Sequence, residues 1–119
     1  MTQISARIRI YFGPERAIGP GRIELLEGVQ RTGSLAQAAR AMNMSYRRAW
    51  QLMQSLNSSL ASPVSIAAKG GRRGGGAQLT PAGKALIRAY RSFETRTTGE
   101  SRLRFGKFAP ARARRAGGP

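Results

Sequence analysis

The sequence predicts a mainly helical fold with a small β-sheet, and three observations support this prediction. Helix-capping residues at Ser34, Ser45 and Thr80 each stand before a stretch with apolar residues at helical spacing. Short alternating segments at residues 7–12 and 64–67 are typical of strands. A chain of 119 residues, 40% of them apolar, is long enough for one domain with a modest core.

The first predicted elements are a strand and a helix. The apolar residues of segment 7–12 share one face, which predicts a strand with one buried side; they are Ile8, Ile10 and Phe12. Glycine and proline residues then end the strand, and a first helix is predicted over residues 21–31. Gly28 costs this helix about 1 kcal/mol relative to alanine, which indicates close packing there. The apolar side of the helix consists of Ile23, Leu25, Leu26 and Val29.

Two short helices joined by a tight turn come next. Ser34 and Gln37 form a capping box for a helix that extends to Met42. Asn43 tolerates a left-handed conformation and suits the turn, and Ser45 caps a third helix that ends near residue 59. Two capped helices separated by about three residues are typical of a helix-turn-helix.

The remaining pattern predicts a hairpin and a long helix. Residues 64–67 and 78–79 form two strands on either side of a glycine-rich basic loop. Thr80 and Pro81 begin a helix that is expected to end near Thr95. Its apolar stripe is Ala82, Leu86, Ala89, Tyr90 and Phe93. The order of strand, three helices, β-hairpin wing and long C-terminal helix predicts a winged helix-turn-helix.

The charge pattern divides the chain into two parts. Residues 1–95, with a net charge of +10, form the predicted domain. Residues 96–119 have a net charge of +6 and end in a stretch without apolar periodicity, so we expect a basic, disordered tail. This tail either adds non-specific affinity for phosphate or is an inert terminus.

The composition argues against catalysis. The chain contains no Cys, His or Asp, and all five of its carboxylates are glutamates. Because most acid–base and metal chemistry depends on these residue types, we expect neither an enzyme nor a metal or other cofactor. No apolar run is long enough for a membrane span or a signal-peptide core, so a cytoplasmic protein is expected.

The strong positive charge indicates a polyanionic partner. The net charge is +16, and 18 of the 21 cationic residues are arginines. The arginine fork matches both phosphate groups and guanine edges. Double-stranded DNA is therefore the expected partner, and we assign neither a membrane nor a small-molecule ligand.

The predicted third helix separates into an apolar and a polar face. Its apolar face consists of Ala49, Leu52, Met53, Leu56 and Leu60. The opposite face carries Arg47, Gln51, Gln54 and Ser58, with Arg48 on one flank and Tyr46 and Trp50 on the other. Arg47 suits guanine O6 and N7, and Gln51 suits adenine N6 and N7, as in a recognition helix. The alternatives are an ordinary solvated face and, for the two aromatic residues, packing at the helix edge.

The glycine-rich loop is interpreted as the tip of the wing. It does not match a nucleotide-binding loop, because no Lys-Ser or Lys-Thr pair follows its glycines. Cations among glycines suit contact with a minor groove or the DNA backbone; the alternative is a loop without a function. The full set of predicted DNA-contacting residues is Ser34, Ser45, Tyr46, Arg47, Arg48, Trp50, Gln51, Gln54, Lys69, Arg72 and Arg73.

Two segments of the chain resemble a known family. The first is residues 32–57, which include Met-Ser-Tyr-Arg-Arg-Ala-Trp, and the second is residues 74–83, which include Leu-Thr-Pro-Ala-Gly. Over roughly residues 5–95 the chain resembles the N-terminal DNA-binding domain of ModE-type molybdate-responsive regulators, which is related to LysR-type regulators. The resemblance implies that Ser45, Tyr46, Arg47 and Arg48 open the recognition helix.

The resemblance also implies a homodimer joined through the first and last helices. The predicted interface residues are Leu25, Leu86, Tyr90 and Phe93; the stripe on the last helix is equally compatible with the chain's own core. ModE-type proteins continue into a molybdate-binding region, whereas this chain ends at Pro119. We therefore expect the oxyanion-sensing part to be absent and assign no molybdate.

The leading hypothesis is a sequence-specific DNA-binding transcriptional regulator. One alternative is a non-specific nucleic-acid-binding or architectural protein, in which the loop and tail supply only charge. Another is an accessory subunit of a separate regulator. The operator, the target genes and the direction of regulation do not follow from the sequence.

Overall fold

The structure is a computed structural model that describes residues 4–14, 16–68 and 76–110. Its elements are β1 (Ile10–Tyr11), β2 (Ala17–Ile18), α1 (Pro20–Thr32), α2 (Leu35–Ala41), α3 (Tyr46–Ser59), β3 (Ser65–Ala67), β4 (Ala77–Leu79), α4 (Pro81–Phe105) and a 3-10 turn (Gly106–Phe108). The predicted fold class, mainly helical with a small β-sheet, is confirmed.

The N-terminal strand is shorter than predicted and has an unpredicted partner. β1 pairs antiparallel with β2, with Ile10 opposite Ile18. The Phe12 amide donates to the Arg16 carbonyl at 3.0 Å, and Gly13 adopts a φ of 132°. Because the chain already turns here, Phe12 is exposed and does not share the buried face as expected.

α1 and α2 pack closely through Gly28. A Cβ on Gly28 would lie 2.9 Å from the Cβ of Ala38, so no larger residue fits without movement. This contact confirms the close packing predicted at Gly28. α1 ends at Gly33, whose φ of 69° is the left-handed conformation common at helix ends.

The helix-turn-helix predicted from the capping residues is present. The Gln37 amide donates to Ser34 Oγ at 3.1 Å, and the Arg48 amide donates to Ser45 Oγ at 3.0 Å. Between the helices Asn43 has a φ of 55°, as expected for this turn. These local bonds fix where α2 and α3 begin.

One core unites the helices with the two hairpins. Its largest fully buried side chains come from α1, α3, α4 and the segment before β3, namely Ile23, Leu25, Leu26, Val29, Leu56, Val64 and Tyr90. The Tyr90 hydroxyl donates to the Ile8 carbonyl at 2.7 Å, and burial raises the pKa of this tyrosine. The hydrogen bond holds the N-terminal segment against α4.

An ion-pair network also holds α4 against α1. Arg91 on α4 donates to Glu27 on α1 at 2.7 and 3.0 Å, and to Glu94 at 2.8 Å. Hydrogen bonds to the two carboxylates raise the pKa of Arg91 above its usual value. The pairing with Glu27 is bidentate, which favours one relative position of the two helices.

α4 differs from its prediction in length. It ends at Phe105, ten residues beyond the expected end at Thr95, so the division of the chain at residue 96 falls inside a helix. The Ala6 amide donates to Thr98 Oγ1 at 3.1 Å, and Arg102 donates to the Ile4 carbonyl at 3.1 Å. These contacts with the N-terminal segment stabilise the last turns of α4. The charge pattern had placed this part of the chain in the predicted tail. Residues 111–119 of the predicted tail lie outside the described residues.

The buried stripe of α4 also differs from its prediction. The buried residues are Gly83, Ile87 and Tyr90, whereas Ala89 and Phe93 are exposed. A Cβ on Gly83 would overlap the Val64 carbonyl oxygen, so the backbones of α4 and the segment before β3 are in direct contact. This contact determines which side of α4 faces the core.

We predict opposite effects for alanine at two glycines of α4. Gly83→Ala should destabilise the fold by about 3 kcal/mol, because the added methyl group collides with backbone that cannot move freely. Gly99→Ala should stabilise the fold by up to about 1 kcal/mol, because nothing lies within 4 Å of its Cβ position and alanine favours helix. Urea unfolding of both variants checks this; equal effects would contradict the assigned contact.

Candidate nucleic-acid interface

The two faces predicted for α3 are confirmed. Its buried residues are Ala49, Leu52, Met53 and Leu56, and Leu60 packs against the same core. The side chains of Arg47, Gln51, Gln54 and Ser58 are exposed on the other face. Arg48 on the flank is also exposed. α3 therefore presents a row of long hydrogen-bonding side chains that no other described part of the chain covers.

The first turn of α3 is electropositive. It contains Arg47 and Arg48 and no acidic residue. The helix dipole adds partial positive charge at the same end. An acidic residue there would normally offset this charge and stabilise the helix. This arrangement instead favours an external anion.

Tyr46 and Trp50 flank a shallow cavity between α3 and the hairpin. Each of the two side chains is 49% exposed. They line an open cavity of about 160 Å³, which Gln54, Ile66 and Gly76 also line. About half of each of these two residues is therefore open to solvent beside the cavity.

Asn57 fixes the position of the hairpin relative to α3. Its Oδ1 accepts from the amides of Val64 at 2.8 Å and Ser65 at 3.3 Å. Its Nδ2 donates to the carbonyl and hydroxyl oxygens of Ser65, both at 3.4 Å. This role of Asn57 was not predicted from the sequence. The signal available there was a polar residue, near the end of α3, that follows core residue Leu56 directly.

The second strand of the hairpin is attached to the beginning of α2. The Ala77 amide donates to the Gly33 carbonyl at 3.1 Å, and Ser34 forms an isolated β-bridge with Gly76. The Ser34 hydroxyl already accepts the Gln37 amide. α2, α3 and the base of the hairpin therefore form one connected surface.

The predicted wing cations Lys69, Arg72 and Arg73 lie outside the described residues. The two strands that flank them are described and pair in register, with Ser65 opposite Leu79 and Ala67 opposite Ala77. The predicted hairpin is thus present at its base.

Two predicted dimer-interface residues belong to the chain's own core. Leu25 and Tyr90 are 0% and 2% exposed in the single chain, so the expectation that they contact a second copy is wrong. Leu86 is partly buried against the same core. Phe93 is 49% exposed and is the most exposed of the four.

Two absences apply to the described residues alone. No helix among them is both long and apolar enough to cross a membrane. No group of three or more His, Cys, Asp or Glu side chains among residues 4–14, 16–68 and 76–110 could hold a metal ion.

The three-helix arrangement, the hairpin packed beside α3 and the long last helix define a winged helix-turn-helix domain. A family model confirms this class, since the description "bacterial regulatory helix-turn-helix protein, lysR family" matches residues 21–84. The chain belongs to this family.

Curated relatives confirm the resemblance to ModE-type regulators. The chain is 51% identical over 77 residues to the molybdenum-pterin-binding protein MopB of Rhodobacter capsulatus, covering 65% of this chain and 28% of that protein. It is 36% identical over 93 residues to the molybdenum transport protein ModE of Azotobacter vinelandii, covering 78% and 34%. It thus spans about a third or less of the length of these relatives.

A solved structure shows the same fold. The DNA-binding domain of CbnR in a complex with DNA superposes with a TM-score of 0.57 at 22% identity. The match covers 82% of this chain and 99% of the other. At this level of identity the likeness concerns the fold.

We predict that Asn57→Ala destabilises the protein by about 2 kcal/mol, because the buried amides of Val64 and Ser65 lose their acceptor. Ser58→Ala is the matched control, because this neighbouring side chain is exposed, and it should change the free energy of unfolding by less than about 0.5 kcal/mol. Urea unfolding measures both. A harmless Asn57→Ala would show that the amide does not hold the hairpin.

Proposed function

We propose that this chain is a sequence-specific DNA-binding transcriptional regulator that binds double-stranded DNA through α3. The observation that carries the proposal is the uncovered polar face of α3, which begins at an electropositive helix end. A recognition helix enters the major groove with its N-terminal residues foremost. A cytoplasmic location is part of the proposal, because the chromosome of a bacterial cell lies there.

Arg47 and Gln51 are the proposed base-reading residues. Both are exposed, and they lie one helical turn apart on the same face. A turn rises about 5.4 Å, between one and two base-pair steps of about 3.4 Å. Arg47 can therefore donate its fork to a guanine while Gln51 pairs with an adenine close by. Gln54 continues the same row toward the hairpin.

The surrounding residues are proposed to contact phosphates. Tyr46 and Trp50 offer donors beside the cavity between α3 and the hairpin, and Ser34 lies where the hairpin meets α2. Ser45 and Arg48 lie at the beginning of α3. Contacts of this kind position a protein on the duplex without reading its sequence.

The wing cations are also part of the proposed interface, and their inclusion is based on the sequence. Lys69, Arg72 and Arg73 lie between β3 and β4, whose base is attached to α2 and α3. Basic side chains on such a loop suit the backbone or a neighbouring minor groove.

We also propose a homodimer joined through α4. Phe93 is exposed on this helix, and Leu86 lies two turns before it on the same side. Dimeric helix-turn-helix proteins read two half-sites about one or two helical turns of DNA apart, so a dimer would give a palindromic site. The names of the relatives refer to molybdenum, and we assign no molybdate to this chain.

Arg47→Ala should weaken binding to the best duplex by about 1–3 kcal/mol and relax the preference at one base position. Lys69→Ala is the matched comparison: it should weaken all duplexes about equally, because it removes a phosphate contact. Binding selection from random duplexes, followed by titration of selected and random DNA, measures both effects. An unchanged ratio of the two affinities in Arg47→Ala would refute the reading role. No enriched motif with the wild type would favour a non-specific architectural protein.

Phe93→Glu should convert the dimer to a monomer, because it places a charge in the proposed apolar contact. Thr95→Glu is the control, since this residue is exposed on another side of α4 and carries the same added charge. Sedimentation velocity distinguishes the two states. A wild type that sediments as a monomer at all concentrations would refute the proposed dimer but not DNA binding.

A further inference from the structure

Three arginines from separate elements lie near the beginning of α1, where Arg9 packs across the helix end and the charges of Arg9 and Arg48 act on Arg22. Arg9 precedes β1, Arg22 lies in the first turn of α1, and Arg48 lies in the first turn of α3. We refer to Arg9, Arg22 and Arg48 as the arginine cluster. Arg9 and Arg22 were not among the predicted DNA-contacting residues.

Packing at the beginning of α1 supports this arrangement. A Cβ on Gly19, the residue that precedes α1, would lie 3.3 Å from Arg9 Cγ, so the stem of Arg9 lies across the helix end. Arg22 is partly buried. Desolvation and then the charges of Arg48 and Arg9 lower the pKa of Arg22, as expected for like charges held close together.

The cluster has no acidic partner within the described residues. The ion pairs found there join Glu27 and Glu94 to Arg91, and Glu100 to Arg104. The first turns of α1 and α3 contain no acidic residue. Three neighbouring cations, one of them partly buried, therefore repel one another in the free protein.

The end of α1 beside the cluster is open to an anion. Gly19 provides no side-chain cap, and nothing lies within 4 Å of a Cβ built on Gly21. A helix end with free amides and a positive dipole adds to the attraction that the arginine forks exert on phosphate oxygens.

We infer that the arginine cluster binds one phosphodiester group of the DNA backbone beside the bases that α3 reads. The inference rests on the proposed function, because Arg48 occupies the same helix turn as the base-reading Arg47. A phosphate bound there fixes how α3 sits in the groove without reading sequence. It also supplies the negative charge that the cluster lacks.

The test compares Arg22→Met with Arg96→Met in DNA titrations over a range of salt concentrations. Methionine keeps most of the apolar stem and removes the charge. Arg96 is an exposed arginine on α4, six residues beyond the last buried residue Tyr90, so it serves as the control. Arg22→Met should make the slope of log K against log salt shallower by about 0.9, the value for one phosphate. Selected and random duplexes should weaken by the same factor, and the control should keep the wild-type slope.

A melting experiment separates this role from a structural one. Arg22→Met should melt at the same or a higher temperature than the wild type, because it removes repulsion in the free protein. A lower melting temperature together with an unchanged salt slope would overturn the inference in favour of structural support. Inorganic phosphate that protects the wild type saturably, with equal salt slopes for wild type and Arg22→Met, would overturn it in favour of a free-anion site. If the wild type binds no duplex, the proposed function itself fails.

Discussion

The strands of the hairpin beside α3 are each three residues long and cannot hold a position by themselves. The position of the hairpin depends above all on the side-chain amide of Asn57. It donates to Ser65 in β3 and accepts from Val64, the residue before that strand. Because Asn57 belongs to α3, these hydrogen bonds hold the base of the hairpin against the helix that carries Arg47 and Gln51. The base of the hairpin and α3 therefore form one connected surface.

Further contacts reinforce this arrangement from the other strand and from α4. The Ala77 amide bonds to Gly33 at the end of α1, and the Thr80 amide bonds to Val64. The Thr80 hydroxyl donates to Pro63 while it caps α4, so one side chain connects the hairpin to the long helix. Gly83 then lets the backbone of α4 touch that of Val64.

Local signals explain what the sequence predicted correctly. Ser34, Ser45 and Thr80 each bond to an amide three residues later, so their effect is contained in a few neighbouring residues. The two faces of α3 follow from helical periodicity in the same way. Tertiary contacts explain the errors. The C-terminal part of α4 forms hydrogen bonds with residues 4 and 6, more than ninety positions away, and no local pattern contains them.

The same division applies to the candidate site: the features that follow from local pattern were predictable, and those that depend on tertiary contacts were not. The exposure of Arg47, Gln51 and Gln54 follows from their positions on α3. The roles of Asn57 and Arg22 depend on residues from other elements. The interface assigned to Leu25 and Tyr90 failed for a related reason, since an apolar stripe indicates burial but does not distinguish the chain's own core from a second copy.

The few carboxylates are distributed unequally, so the positive charge is neutralised on one part of the surface and not on another. Of the five glutamates, Glu27, Glu94 and Glu100 pair with arginines of α4. No ion pair in the described part of the chain involves Arg47 or Arg48. A protein of net charge +16 thus neutralises cations along its long helix and leaves them uncompensated at α3. Repulsion at that surface weakens the free fold, and a polyanion that relieves it gains binding energy from the same charges. The uncompensated cations at α3 therefore make this surface attractive to a polyanion.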